Sequence, residues 1–413
     1  MVSEFFKSLF KMKLLFIANR IPYPPHRGDK LKIFNLATRL RECGHELHLI
    51  SICEKREELK YNQDLKKIFH ESTLILVPPL KSYLQVLLAF FQKMPFQVAY
   101  FQSRRLKKLL NRTLNTHTFD AVHIQHLRML PYGLRINIPK ILDLPDAYSM
   151  YWKRKVEQEK RPIQKKIKEI EYYKVLQYEK KLIEFDKVLV CSREDQQYLI
   201  DTHELNNVEI LPNGVDIRTF KKEVDVSVEH KLVLFTGNMN YAPNVDAVKY
   251  FVRDIFPLIL SKHPDARFLI AGQNPTKQVQ ELAGSNIIIT GFVENMALQY
   301  QQASLVVAPL RIGAGTQNKV LEAMAMEKPV VCTHIGFEGL GVKSGQGVIL
   351  AHNAKDFADW VNRLLDDENM ANDVSLFGKK HVLKYFDWDV ISKTLEIYFE
   401  DIINHQNHNA RMV

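Results

Sequence analysis

Short, uninterrupted apolar runs recur along this chain, and between them apolar positions return every third or fourth residue. The runs at 14–18, 46–52, 74–77, 121–124, 141–142, 188–191 and 208–211 read as buried strands of a parallel sheet. The segments between them read as helices, the first over 30–43 with Gly44 in the glycine position that ends a helix. A second series follows at 232–236, 267–271, 287–290, 305–308, 330–332 and 348–350, with helices at 246–260 and 319–326 among those between its strands. Strand and helix alternating in this way predict βαβ units and mainly parallel sheets. The fold class is therefore α/β, with two Rossmann-like domains facing across a cleft. Residues 213–229 lack an apolar period and join the two halves. An amphipathic segment at 388–403 lies beyond the second series and is expected to pack back across the cleft. The predicted boundaries are 12–212 for the first domain, 213–385 for the second and 386–413 for the terminal helix.

Length and composition agree with this plan. At 413 residues the chain exceeds the size of one ordinary core, and 46% hydrophobic with 25% charged residues is the balance of a folded globular protein. The net charge is +10. Much of the basic charge lies between Lys153 and Lys187, interleaved with glutamates, which reads as a solvated helix face. With no zinc-finger spacing and no basic zipper, nucleic acid is not an expected partner. Cys43, Cys53, Cys191 and Cys332 form no C-x-x-C pair and read as reduced thiols, which fits a cytoplasmic location. No apolar run reaches the roughly 18 residues needed to span a bilayer.

The candidate chemistry sits where strands end, since doubly wound sheets take their ligands beyond the carboxyl ends of the strands. The most informative segment is PLRIGAGTQNKVLEAMAMEKPVV, residues 309–331. A strand ending at Ala308 leads into a loop with Gly313 and Gly315, and a helix starts near Thr316. Glycines let a ligand approach the backbone, and the unpaired amides of a helix start favour a diphosphate. Arg311 and Lys319 add positive charge. Glu322, three residues beyond Lys319 on the same helix face, is suited to accept hydrogen bonds from two ribose hydroxyls. No G-x-G-x-x-G follows Ala18 and no P-loop lysine motif occurs, which disfavours a dehydrogenase or a P-loop kinase.

Taken together, these segments resemble glycosyltransferase family 4, the retaining family with the GT-B fold, over nearly the whole chain. LEAMAMEKPVV resembles the family's donor-site helix, in which the last Glu of an E-x7-E motif binds the donor ribose; that Glu is Glu322 here. The first Glu of the motif falls on Ala314, a departure that touches sugar recognition. LPNGVD, with Asn213, is similar to the family's hinge. FTGNMNYAPNVDAV, with Gly237 and Asn238, resembles the first donor-domain loop, and TGFVEN, with Phe292 and Val293, the loop that meets the nucleobase. NRIPYPPHRGDK resembles the loop whose glycine, here Gly28, closes over the donor phosphates. Where many members carry an Arg and a Lys to grip the diphosphate, this chain has Met239 and Asn240, so Arg311 and Lys319 are the expected substitutes. FDAVHIQHLRMLPYG carries His123, expected in the core, and His126, expected to face the cleft as the catalytic or sugar-contacting histidine, one place from the family's position at Gln125. Arg128 is a further phosphate or acceptor candidate.

The resemblance implies a retaining, metal-independent glycosyltransferase, with no cofactor beyond the nucleotide-diphosphate sugar donor and a glycan or lipid-linked acceptor. Cell-surface polysaccharide synthesis, through similarity to exopolysaccharide-associated sugar transferases, is the expected setting. A nucleotide-sugar epimerase or phosphorylase on the same fold, and a degenerate non-catalytic sugar-nucleotide binding protein, remain open alternatives. An anionic membrane surface is a further expected partner. Its candidate contacts are Phe5, Phe6, Leu9 and Phe10 with Lys7, Lys11 and Lys13, and the apolar patch 83–91 between Lys81 and Lys93, for which packing inside the first domain is the alternative.

Overall fold

A computed structural model describes residues 11–25, 28–224, 226–313 and 315–411. The chain divides into two compact units, one comprising residues 1–211 with 391–413 and the other residues 212–390. The division falls a few residues from the expected boundaries.

The first unit holds a seven-stranded parallel sheet. Its order is β3 (Glu71–Leu76), β2 (Glu46–Cys53), β1 (Lys13–Ala18), β4 (Ala121–Gln125), β5 (Lys140–Asp143), β6 (Lys187–Val190) and β7 (Val208–Ile210). The central strands are short apolar runs because helices cover both faces: Leu14, Leu15, Phe16 and Ile17 are all fully buried. Edge strand β3 instead alternates exposed and covered positions. The helix Gly28–Glu42 follows β1, as the pattern predicts. From Ile391 the terminal helix Trp388–Arg411 belongs to this unit. Ile391, Leu395, Phe399 and Ile402 make its buried stripe, at the spacing of one helix face. Glu396 accepts from His45 Nε2 at 3.0 Å, and the Tyr398 hydroxyl donates to the Ile210 carbonyl at 3.1 Å.

The second unit holds a six-stranded parallel sheet in the order β10 (Ile287–Gly291), β9 (Arg267–Ala271), β8 (Leu232–Thr236), β11 (Leu305–Ala308), β12 (Val330–Cys332) and β13 (Val348–Leu350). The helix expected over 246–260 is interrupted. It runs Ala242–Tyr250, passes through a π turn at Phe251–Ile255 and resumes at Phe256–Leu260. Pro257 supplies the cause: it has no N–H to donate, its ring crowds the preceding turn, and the Phe256 amide reaches back five residues to the Phe251 carbonyl.

The patch at 83–91 lies on the helix Pro79–Ala89 and just beyond, with Leu84 57% and Phe91 94% exposed. The N-terminal patch at Phe5, Phe6, Leu9 and Phe10 lies outside the described residues.

Candidate functional site

In the second unit, the carboxyl ends of β8, β9 and β11 bring glycines and polar side chains together. Gly237 and Gly272, which directly follow β8 and β9, touch through their backbones. A Cβ on Gly272 would stand 1.8 Å from the Gly237 carbonyl oxygen, so only glycine fits. After β11 the chain turns through Gly313 (φ 153°) and Gly315 (φ 70°) into the helix Asn318–Ala325. No side-chain hydrogen bond caps this helix; the Gln317 amide donates instead to the Gly315 carbonyl at 3.1 Å. Its first turn therefore presents amides of the kind that bind anions.

Val320, Leu321, Ala323 and Met324 bury the core-facing side of this helix. Lys319 and Glu322, three apart, share another side. Lys319 is itself buried, and its Nζ donates to Asn244 Oδ1 at 2.9 Å and lies 4.8 Å from the centre of the Phe235 ring. Asn244 Nδ2 in turn donates to the Asn238 carbonyl at 3.0 Å. Burial pulls the Lys319 pKa down to about 8, against the opposing pull of Glu322. Half-buried Glu322 accepts from the Tyr300 hydroxyl at 2.7 Å, and that hydroxyl lies 2.6 Å from Thr236 Oγ1. Burial raises the Glu322 pKa, while Tyr300 and Lys319 hold it back. A cation and a hydrogen-bonded carboxylate thus stand on one helix face beside an uncapped helix start. Together they can bind a phosphate and a vicinal diol.

Other expected donor residues are placed less uniformly. Thr316 is buried, Asn238 and Val293 are half-buried, and Phe292 is 68% exposed beside Gly291 (φ 72°). Asn213 lies just after the division between the units. Asp246 holds the Arg311 guanidinium in a two-pronged pair, at 2.9 Å to Nε and 2.5 Å to Nη2, and the group stacks 4.5 Å from the Tyr250 ring. Ala314 lies outside the described residues. Sequence reasoning did not single out Asn244, Tyr300 or Thr236. They are far from Lys319 and Glu322 in the chain, and only the sheet order brings them there.

In the first unit, Gly28 opens the helix after β1, with open space where a Cβ would stand. Behind it, Lys32 is fully enclosed. Its Nζ donates to Asp143 Oδ1 at 2.6 Å and to the Leu211 carbonyl at 2.8 Å, and His123 Nε2 lies 3.3 Å from Asp143 Oδ2. Burial opposes charge on Lys32, but Asp143 and Cys191 together outweigh it and the pKa rises. His123 is in the core, as expected, its ring packed against Phe16 and Phe399 as well as facing Asp143. Asn19, at the end of β1, is fully buried, and neither atom of its side-chain amide has a hydrogen-bond partner.

His126 directly follows β4. The residue takes a left-handed backbone conformation (φ 81°), and its side chain is buried rather than presented to solvent. Its Nδ1 accepts from the Arg128 amide at 3.3 Å, so the ring proton sits on Nε2, which meets the Tyr148 hydroxyl. Burial, with Arg128 and Arg20 adding to it, holds the His126 pKa well below the usual range. The ring is thus engaged at both nitrogens. Gln125 donates to the Asp29 carbonyl, tying β4 to the start of the helix after β1.

The comparisons with known proteins agree with this geometry. Residues 33–219 match the family described as Glycosyltransferase Family 4, and residues 230–367 match Glycosyl transferases group 1. An uncharacterized 44.6 kDa protein in the cps region of Klebsiella pneumoniae is 24% identical over 363 residues, covering 84% of this chain and 89% of that protein. An uncharacterized glycosyltransferase of Methanocaldococcus jannaschii is 28% identical over 190 residues, which is 43% of this chain and 47% of its own. Among solved structures, sucrose-phosphate synthase from Thermosynechococcus elongatus superimposes with a TM-score of 0.69 at 15% identity, over 95% of this chain and all of that one. Anabaena HepE in complex with UDP gives 0.67 at 14% identity, over 94% of this chain and all of that one. At such identities the structural likeness speaks for the fold alone. The chain therefore has the GT-B fold of a glycosyltransferase, its residues 33–219 similar to one of these families and 230–367 to the other.

Proposed function

We propose that the protein is a retaining, metal-independent transferase that moves a sugar from a nucleotide-diphosphate donor to a glycan or lipid-linked acceptor in cell-surface polysaccharide synthesis. The observation that carries this reading is the face of the helix Asn318–Ala325, where buried Lys319 and Tyr300-bonded Glu322 stand beside the uncapped helix start. In this reading Glu322 takes the ribose hydroxyls, while Lys319 and the first-turn amides take the diphosphate. They stabilise the charge that grows on the leaving group, which is the work a metal ion would otherwise do. The acceptor oxygen bonds to the anomeric carbon on the face from which the diphosphate departs. The bond from that carbon to the phosphate oxygen breaks, its electron pair leaves with the diphosphate, and the acceptor proton passes to that oxygen. Such a step needs no pair of catalytic carboxylates.

The cps-region relative and the UDP complex of the structural neighbour support the setting and the donor class. The exposed apolar helix Pro79–Ala89, with exposed Lys81 in its first turn and Lys93 just beyond its end, supports reversible contact with an anionic bilayer and hence a lipid-linked acceptor. No helix among the described residues is long and apolar enough to cross a membrane. The test is proton NMR of the product formed in the presence of EDTA. The same anomeric configuration in donor and product, at an undiminished rate, is expected. Inversion, or activity that returns only with added manganese, would remove the retaining or the metal-independent part of the reading.

A further inference from the structure

At the amino ends of the first sheet, away from the strand ends just described, two histidines and a glutamate converge. His48 on β2 and Glu71 on β3 are directly paired in the parallel register. His117 ends the helix Arg104–Thr116, which precedes β4. His48 Nδ1 lies 3.1 Å from Glu71 Oε2, and His117 Nε2 lies 3.7 Å from the same oxygen. The three ligand atoms all fall within 4.8 Å of one another. A tetrahedral zinc ion, with bonds of about 2.0–2.1 Å to nitrogen and oxygen, separates its ligand atoms by roughly 3.3 Å. The cluster approximates one face of such a tetrahedron. Glu71 is exposed and His117 half-exposed, so an ion has an entry path and room for a water as fourth ligand.

The hydrogen bonding of His48 adds a second, independent observation. Its Nε2 lies 2.8 Å from Glu46 Oε1, which also pairs with Lys13 at 2.7 Å. Glu46 Oε1 thus stands between the Lys13 ammonium and His48 Nε2 and accepts from both. Nε2 therefore carries a proton, and in the neutral ring Nδ1 presents a lone pair towards the lone pairs of Glu71. Two acceptors at that distance repel unless a cation lies between them or the ring takes a second proton. A carboxylate holding one imidazole nitrogen while the other faces a gathered ligand set is the usual support of a metal-binding histidine. Phe119 backs both rings, 5.1 Å from His48 and 6.0 Å from His117, and limits their rotation.

We propose that His48, Glu71 and His117 bind one divalent cation of the zinc class, with Glu46 orienting His48. The ion ties edge strand β3 and the turn before β4 to β2, and it acts on stability rather than on the transfer step. None of this is visible in sequence, since the residues share no motif spacing. The rival is a doubly protonated His48 bridging Glu46 and Glu71 with no metal.

Titrating chelator-stripped full-length protein with Co2+ decides between them. The expected result is one equivalent of cobalt with the intense visible bands of a tetrahedral, nitrogen- and oxygen-bound ion, displaced by Zn2+, and a higher Tm with zinc. Glu71→Gln and His117→Ala, both at accessible positions, should each abolish the bands. Glu46→Gln should weaken binding about 10- to 100-fold, as loss of an outer-shell partner does. Bands that persist unchanged in Glu71→Gln and His117→Ala would place the ion elsewhere and overturn the proposal. So would the absence of tetrahedral bands in wild type, with His48 found as imidazolium by nitrogen-15 NMR.

Discussion

Replacing Lys319 by Met should separate function from stability, because the same burial that makes the lysine costly makes it useful. Its pKa of about 8, against an ordinary 10.5, means that charging it in place is disfavoured by about 3 kcal/mol. A base whose pKa is depressed on folding carries this penalty in full below pH 8, and the penalty fades as pH rises towards 10.5. Met removes the penalty at neutral pH. It also removes the hydrogen bond to Asn244, worth about 1 kcal/mol, and the cation over Phe235, worth about another 1. The free protein should therefore keep its Tm or gain slightly. Donor binding should move the other way. Loss of a charged hydrogen bond to the diphosphate removes about 1.5–3 kcal/mol, or about 10- to 150-fold in Kd.

Titration calorimetry with nucleoside diphosphates, beside melting curves without ligand, reads both signs. Wild-type affinity should also weaken above pH 8 as Lys319 loses its proton, and the Met variant should lack that pH step. A variant that binds as tightly as wild type, or one that melts several degrees lower with binding intact, would show that Lys319 is structural and would refute the reasoning.

Glu322→Ala should weaken donor binding, and Tyr300→Phe should reproduce part of that loss by leaving the carboxylate unheld; an unchanged nucleotide Kd in Glu322→Ala removes the ribose assignment. Lys32→Met should destabilise the first unit by about 3–5 kcal/mol by stranding buried Asp143, and adding Asp143→Leu should recover much of it, both read by urea denaturation. Leu84→Glu with Leu88→Glu should abolish co-sedimentation with anionic liposomes while leaving nucleotide affinity unchanged. Binding that survives this pair, or that ignores salt, would contradict a membrane role for the helix Pro79–Ala89.

What could be read from the sequence was whatever depends on neighbours along the chain. Runs such as 14–18 and 305–308 are strands because parallel strands covered on both faces need apolar residues throughout, and that signal is local. The loop with Gly313 and Gly315, and the three-residue spacing of Lys319 and Glu322, are local as well. Partners set by sheet order were out of reach: Asn244 for Lys319, Tyr300 for Glu322, Asp246 for Arg311. So were the contacts of His126, whose ring meets Tyr148 next to a left-handed backbone turn. Pro257 did carry a legible warning within the segment 246–260, but a proline's effect on helix register depends on what packs around it.

Nucleoside diphosphate release tests the central claim most directly. Wild-type protein and Glu322→Ala would be incubated with a panel of UDP-, GDP- and ADP-sugars, with and without a membrane extract as the source of acceptor. The account predicts that wild type releases the diphosphate from one nucleotide class, faster with acceptor, and that Glu322→Ala loses most of that rate at donor concentrations that saturate wild type. No release from any donor by wild type, with or without acceptor, or equal release by both proteins, would contradict the assignment of the helix Asn318–Ala325 as the donor site.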